Sequence, residues 1–129
     1  NYLKDVEKAD SVLKKLSIED VGQGVVVENG LVLGIETLQG TNALLKFVSQ
    51  TSKELRSAGG GIFVKRPKIN QDLRFDMPTV GPETVSWACN AGLRGLVLSP
   101  QKVIMLDIDK CIEIANKNNF FILAQEISS

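Results

Sequence analysis

The segment from Gln71 to Val85, QDLRFDMPTVGPETV, holds the side chains of this sequence that are best suited to chemistry on a phosphate. Read as an extended strand, it places Asp72, Arg74 and Asp76 on one face, because side chains alternate along a strand. A carboxylate can hold a divalent cation or orient a water, and an arginine can bind phosphate oxygens through two parallel hydrogen bonds. The alternative reading is a solvated strand edge whose arginine pairs with both acids.

A predicted helix start follows this segment at Gly81 and Pro82, since proline is favoured in the first turn of a helix. The free N–H groups at a helix N-terminus can bind a phosphate. Together with Pro78, which constrains the approach, these residues would bring the backbone amides close to the polar face of the strand. This arrangement favours a phosphate site.

A second candidate is the stretch GGGIFVKRPK, from Gly59 to Lys68. Its three glycines, Gly60 and Gly61 among them, either end a helix or allow backbone amides to approach a phosphate closely. Lys65 and Arg66 fall on opposite faces of the strand that follows, so at most one of them shares the side of a ligand.

A third candidate combines Glu36 with Gly40, Thr41 and Asn42, at the end of a predicted strand and the start of a helix. The alternative reading is a helix entry capped by Thr41, because threonine is a common N-cap. Both readings stay open at this point.

Composition limits the chemistry further. The 129 residues carry 15 basic and 15 acidic side chains and no histidine, with 43% hydrophobic residues. The absence of histidine excludes histidine-activated nucleophiles and histidine-ligated metal sites, so any bound metal is expected to be a hard cation. The balanced charge argues against a nucleic-acid partner, because such proteins usually have an excess of basic residues. Cys89 and Cys111 fit no metal or redox spacing, so we expect two reduced thiols in the core. No apolar run approaches the length of a membrane span.

The elements that would position these residues alternate between helix and strand. The periodicity predicts α, ββ, α, β(β), α, ββ, α, β, with a hairpin at Asn29-Gly30. The predicted helices are residues 5–16, 41–57, 82–91 and 107 or 109–117, and the predicted strands are 24–37 as a hairpin, 61–66, 72–77, 95–99, 102–106 and 120–124. The expected fold is α/β (α+β), a layered domain with a mixed β-sheet flanked by helices.

The order of these stretches resembles one family. VGQGVVVENGLVLGIETLQGTNALL, GGIFVKRPKINQDLRFDMPTVGPETV, AGLRGLVL and FFILAQ are similar to the C-terminal domain of the LpxI family, the UDP-2,3-diacylglucosamine pyrophosphatases of lipid A biosynthesis. The resemblance covers about residues 18–126. We therefore expect residues 1–17 to be a linker helix from a missing N-terminal domain and residues 18–129 to be the C-terminal domain, and the start at Asn1 rather than Met agrees with that expectation.

The resemblance implies hydrolysis of the pyrophosphate bond of UDP-2,3-diacylglucosamine to UMP and 2,3-diacylglucosamine 1-phosphate, with Mg²⁺ or Mn²⁺. It also implies a cytoplasmic homodimer, peripheral at the inner membrane of a Gram-negative bacterium, with the lipid-linked ligand between its two domains. The implied catalytic residues are Asp76, Asp72 and Arg74, with Asp76 and Asp72 holding the metal. Substrate binding is expected of the following residues: Lys65, Gly60, Gly61, Gln71, Thr84 and Thr41.

One position departs from the family pattern, in which an aspartate commonly follows the Gly-Thr pair. Asn42 stands there in this sequence, which removes a charge from the third candidate. The alternative function is a non-catalytic nucleotide- or phosphate-binding or dimerisation domain.

Overall fold

The computed structural model describes residues 2–18, 23–57, 59–67 and 78–127. A five-stranded mixed sheet lies between two helical layers in these ranges, with the strands in the order β2-β1-β3-β5-β7. The helices are α1 Tyr2–Ile18, α2 Thr41–Ser49, α3 Pro82–Asn90 and α4 Ile108–Lys117. The strands are β1 Gly24–Glu28, β2 Leu31–Ile35, β3 Ile62–Lys65, β4 Thr79–Val80, β5 Gly95–Leu98, β6 Ile104–Met105 and β7 Phe121–Ala124. The predicted fold class is confirmed.

Strand direction defines two edges of the sheet. β1 is antiparallel to β2 and β3, whereas β3, β5 and β7 are parallel, so that Lys65, Leu98 and Ala124 lie level at the ends of their strands. We call this end the carboxyl edge. The opposite end, the amino edge, begins at Ile62 and includes the hairpin turn. Each parallel strand needs a crossover back to the amino edge, and α3 and α4 supply the two crossovers.

The apolar residues divide between the two faces of the sheet. One cluster joins Val26, Phe63 and Leu96 to the buried sides of α2, α3 and α4. The other joins Val25, Val27, Ile62, Val64 and Val97 to α1. Because alternate residues of a strand face opposite sides, the nearly continuous apolar runs of β1 and β3 serve both layers.

The first helix is one of these layers. Val6 and Ala9 are completely buried against the sheet, and Asp5 accepts hydrogen bonds from the backbone N–H groups of Asn29 and Gly30. The helix is therefore packed as part of the domain. Its predicted connection to a preceding domain, and the boundary at residue 18, stay predictions.

The hairpin prediction is confirmed, since Asn29 and Gly30 both have the positive φ of a type I′ turn, 50° and 82°. The prediction of one helix from Thr41 to about Ser57 is wrong. α2 ends at Ser49 and is followed by a short 3₁₀ turn at Lys53–Leu55. Thr51 and Ser52 favour turns over helix interiors, and the side chains of Phe47 and Leu55 are exposed rather than buried.

Two further predictions need correction. Thr41 does not cap α2, because Gly40 is the N-cap residue and the hydroxyl of Thr41 is directed to Glu36. The predicted strand at residues 102–106 shrinks to β6, which pairs with β4 in a separate two-stranded sheet. The predicted strand at residues 72–77 lies outside the described residues.

Candidate functional site at the carboxyl edge

Three elements bring polar groups to the carboxyl edge. β3 ends there at Lys65, with Arg66 the next residue, and β2, which is parallel to β3, leads into Glu36 and the start of α2. α3 starts at the same edge, because its far end lies at the amino edge, where Arg94 N–H donates to Gly61 just after the helix. In open α/β sheets, ligands bind at the carboxyl ends of the strands, so this edge is the candidate site.

Lys65 is buried and fully paired. Its Nζ atom lies 3.0 Å and 3.2 Å from the two carboxylate oxygens of Glu36 and 2.8 Å from Oγ1 of Thr41. The hydroxyl of Thr41 in turn donates to Glu36 at 2.7 Å. An ammonium group has three protons, and these contacts engage all of them. The structure thus brings Lys65 and Thr41 together, but around a carboxylate of the protein.

This pairing changes what Lys65 offers a ligand. A phosphate that bound to its ammonium directly would have to displace Glu36 or share the protons with it. The side chain of Lys65 is only 4% exposed and that of Glu36 10%, so the pair is screened little by solvent. The arrangement holds the start of α2 to the end of β3 and leaves the substrate-binding role of Lys65 a prediction.

Arg66 lies on the other face of β3, as the alternation predicted. Its Nε and Nη2 atoms donate to the two carboxylate oxygens of Asp10, at 2.9 Å and 3.1 Å. Nη1 donates to Oγ of Ser99 and to the carbonyl of Gln125, and Nη2 also lies 3.4 Å from the carbonyl of Glu126. One buried guanidinium therefore joins α1, β3, the end of β5 and the end of β7.

The two cations fix the point from which the chain enters the predicted catalytic segment. Pro67, directly after Arg66, is the last described residue before the segment, and Pro78 is the first described residue after it. The carbonyl of Pro78 accepts a hydrogen bond from Ile104 N–H at 2.8 Å. The predicted residues Gln71, Asp72, Arg74 and Asp76 lie between them, outside the described residues.

Thr84 lies in the first turn of α3 and is mostly buried. Its Oγ1 is 3.5 Å from the backbone nitrogen of Gly81, so the hydroxyl faces the start of its own helix. Pro82 has no N–H, and the N–H groups of the next two residues have no partner within the helix, as at every helix start. The free backbone N–H groups expected at a helix start are thus present at this edge, and their binding of an anion stays a prediction.

Gly60 and Gly61 lie elsewhere, at the amino edge. The residues from Gly61 to Lys65 cover the whole of β3, roughly 13 Å at about 3.3 Å per residue. Gly60 has φ 73°, and a Cβ atom there would lie 2.5 Å from the carbonyl oxygen of Gly92. A Cβ atom on Gly61 would lie 2.6 Å from the carbonyl oxygen of Val27. Close backbone packing explains both glycines, and the structure does not bring them to Lys65.

The amino edge has a buried ion pair that the sequence pattern did not reveal. Arg56 donates to both oxygens of Glu28 at 2.9 Å and to the carbonyl of Ala91. Burial alone would raise the pKa of Glu28, but the hydrogen bonds from Arg56 and from the N–H of Ser57 outweigh it and lower that pKa. The only sequence signal is an acid at the end of the apolar run VVVE.

The described residues show no group of three acidic or cysteine side chains that could hold a metal. At the carboxyl edge, Glu36 is paired with Lys65. The predicted metal ligands Asp72 and Asp76 lie outside the described residues, so their role stays a prediction. Cys89 and Cys111 are free thiols, as predicted, and burial raises the pKa of both. A raised pKa keeps them protonated and disfavours them as ligands or nucleophiles.

Comparison with solved structures defines the class of the fold. The chain is similar to a dCMP deaminase from the cyanophage S-TIM5, with a TM-score of 0.57, 12% sequence identity and coverage of 95% of this chain and 98% of that chain. At this identity the likeness shows the fold alone: a mixed α/β sheet between helical layers.

The family follows from sequence comparison. Residues 1–123 match the family model of the LpxI C-terminal domain. The chain is 34% identical over 125 residues to the UDP-2,3-diacylglucosamine pyrophosphatase LpxI of Caulobacter vibrioides, covering 95% of this chain and 45% of that relative. The chain belongs to the LpxI family and corresponds to its C-terminal domain. It spans less than half the length of the curated relative.

Proposed function

We propose that this chain is the C-terminal domain of a UDP-2,3-diacylglucosamine pyrophosphatase that produces UMP and 2,3-diacylglucosamine 1-phosphate for lipid A synthesis. The relative with 34% identity carries that name. The observation that carries the proposal is the carboxyl edge, where β3 ends before residues 68–77 and α3 begins after them; the proposed catalytic residues Asp72, Arg74 and Asp76 belong to that stretch of the sequence.

Pyrophosphate hydrolysis needs the charge of the non-bridging oxygens to be neutralised and a water to be positioned in line. Arg74 is suited to bind phosphate oxygens, and the free N–H groups at the start of α3 provide further donors. Asp76 is the proposed residue on which turnover depends, with Asp72 as a second carboxylate.

Mg²⁺ or Mn²⁺ is the proposed cofactor, because carboxylate oxygens suit hard cations and the sequence has no histidine. Asp72 and Asp76 would hold the ion, which supplies a Lewis acid for the phosphoryl oxygens when bound. Lys65 acts in this proposal through its pair with Glu36, which positions the start of α2 beside the site.

The wider setting is also part of the proposal. The family likeness supports a preceding N-terminal domain that shares the lipid-linked UDP-sugar, a homodimer, and a cytoplasmic location at the inner membrane of a Gram-negative bacterium. Among the helices in the described ranges, none is long and apolar enough to cross a bilayer.

Release of UMP from UDP-2,3-diacylglucosamine by the complete protein tests the proposal. We expect release that stops when a chelator removes the divalent cation and resumes when Mg²⁺ is restored. Tight binding of UMP or of the lipid product without any turnover would instead support a non-catalytic binding domain. Absence of both would leave a structural or dimerisation role.

A further inference from the structure

The glycine-rich stretch and Arg94 form a second polar site at the amino edge, remote from the proposed catalytic edge. A cleft of about 370 Å³ opens there between the start of α1, the hairpin turn and the start of β3. Its volume falls within the range of small-ligand sites. The residues that line it include Lys4, Asp5, Ser57, Gly59, Gly60 and Arg94.

The side chain of Arg94 is incompletely paired. Its Nε atom is buried and has no hydrogen-bond partner within the part of the chain that the structure describes. The backbone of Arg94 is held on both sides, because its N–H donates to Gly61 at 2.8 Å and its carbonyl accepts from Phe121 at 3.0 Å. A buried donor without a partner costs free energy, and an anion that accepted a hydrogen bond from Nε would remove that cost.

The charges around the cleft favour an anion as well. Lys4 and Arg94 contribute two positive charges to its lining. The one carboxylate, Asp5, already accepts hydrogen bonds from Asn29 N–H at 3.1 Å and Gly30 N–H at 2.8 Å. Asp5 is therefore committed to the hairpin turn and reduces the positive charge of the cleft only in part.

The shape of the glycine loop leaves room for a ligand. Gly59 has φ 99°, and a Cβ atom built on it meets nothing within 4 Å among the described atoms. Gly60 packs closely against the backbone of Gly92. Since Gly92 is two positions before Arg94, this packing keeps the loop near Arg94. The space beside Gly59 therefore opens into the same cleft as Arg94, whose backbone is held by hydrogen bonds.

We propose that this cleft binds a small oxyanion, a phosphate or a carboxylate group, through Arg94 and Lys4. The planar guanidinium can donate two parallel hydrogen bonds to either group, which an ammonium cannot. The proposal is independent of the proposed function, because β3 separates the cleft from the carboxyl edge.

The test is an NMR titration of the complete protein with inorganic phosphate and, separately, with acetate, using chloride at matched ionic strength as the reference. We expect saturable shifts of the Arg94 Nε–H signal and of the Gly59 and Gly60 amide signals with at least one oxyanion. Whichever of phosphate and acetate binds more tightly shows whether the cleft prefers phosphate or carboxylate groups. No saturable shift at these signals overturns the proposal.

Variants locate the binding. Arg94→Met is expected to weaken oxyanion binding at least about tenfold, since charge-assisted hydrogen bonds are the strongest polar contacts. Lys102→Met, which removes an exposed lysine outside the cleft, should leave binding unchanged. If Arg94→Met does not fold, Lys4→Met at an exposed position carries the test, with a weaker but measurable loss. Wild-type affinity in the folded Arg94 or Lys4 variant refutes the proposal, whatever the hydrolysis assay shows.

Discussion

The sheet has one buried arginine–carboxylate pair at each edge, and this duplication allows stability to be separated from activity. Arg66 pairs with Asp10 at the carboxyl edge, and Arg56 pairs with Glu28 at the amino edge. The side chains of Asp10 and Glu28 are each 2% exposed. Asp10→Asn and Glu28→Gln are therefore matched, nearly isosteric changes that each remove one buried charge.

The structure sets the size of the effect on stability. Breaking a buried pair costs roughly 3–5 kcal/mol, because the remaining charge is left uncompensated. We expect the lower end, about 3 kcal/mol, for Asp10→Asn, since Asn retains one acceptor oxygen and Arg66 keeps Ser99 and two carbonyls. Glu28→Gln should cost a similar amount, because Arg56 keeps the carbonyl of Ala91. Urea unfolding followed by circular dichroism measures both.

Activity should distinguish the two variants. Asp10→Asn loosens the residue that precedes Pro67 and the predicted catalytic segment, whereas Glu28→Gln acts at the opposite edge. We expect kcat to fall roughly tenfold to a hundredfold in Asp10→Asn, since a displacement of about 1 Å can cost up to about 10². Glu28→Gln should keep the wild-type kcat. Asp10→Glu, which keeps the charge, should restore part of the lost rate.

Two results would refute this reasoning. Equal kcat values for the two variants, measured per folded molecule, would show that the clamp at the carboxyl edge does not position the site. A fall in kcat confined to Glu28→Gln would place the chemistry at the amino edge instead. Hydrolysis by the wild-type protein must be shown first, so that these outcomes are separate from failure of the proposed function.

The remaining predictions concern the proposed reaction and the acid limit of stability. In the complete protein, Asp76→Ala should lower kcat at least roughly 10²-fold with substrate still bound, and Asp72→Ala less; a near-normal single-turnover rate for folded Asp76→Ala would contradict this. The intact substrate should bind more tightly than UMP, by roughly 0.8 kcal/mol for each acyl CH₂ that is buried, and equal affinities in equilibrium binding would count against it. Because the folded pKa of Glu28 is lowered, its stabilisation is present above the unfolded value of about 4.3 and is lost as pH falls through the folded value. The urea midpoint of Glu28→Gln should therefore change less between pH 7 and pH 3 than that of the wild type; parallel curves would exclude this contribution.

Much of the fold could be predicted because local signals agree with the tertiary structure. Asn29-Gly30 specifies its turn, Pro82 specifies the start of α3, and the apolar runs around Phe63 and Val97 specify central strands. The end of α2 could not be predicted in this way. Leu55 continues the helical spacing of apolar residues, but the contacts of Arg56 with Glu28 hold the chain in another path.

The site could be predicted only in part, because its contacts join distant parts of the sequence. Lys65 was a candidate from its type and place, yet Glu36, its partner, lies 29 positions away. Arg66 and Asp10 are 56 positions apart, on elements that no local pattern connects. For the glycines, the sequence suggested a ligand contact where the structure shows backbone packing. That packing requires glycine at positions 60 and 61 whether or not a phosphate is near.

The contacts of Arg66 have a consequence for the order in which the molecule is completed during its synthesis. Its acceptors come from Asp10, Ser99, Gln125 and Glu126, so the full set exists only after nearly all of the described chain has left the ribosome. At roughly 5–20 residues per second, the 60 positions between Arg66 and Glu126 take several seconds to be made. During that interval the guanidinium can reach Asp10 but not the last carbonyls. The carboxyl edge of a nascent chain therefore matures last, and a chain that ended after Ala124 would keep all five strands of the main sheet but lack two of the acceptors of Arg66.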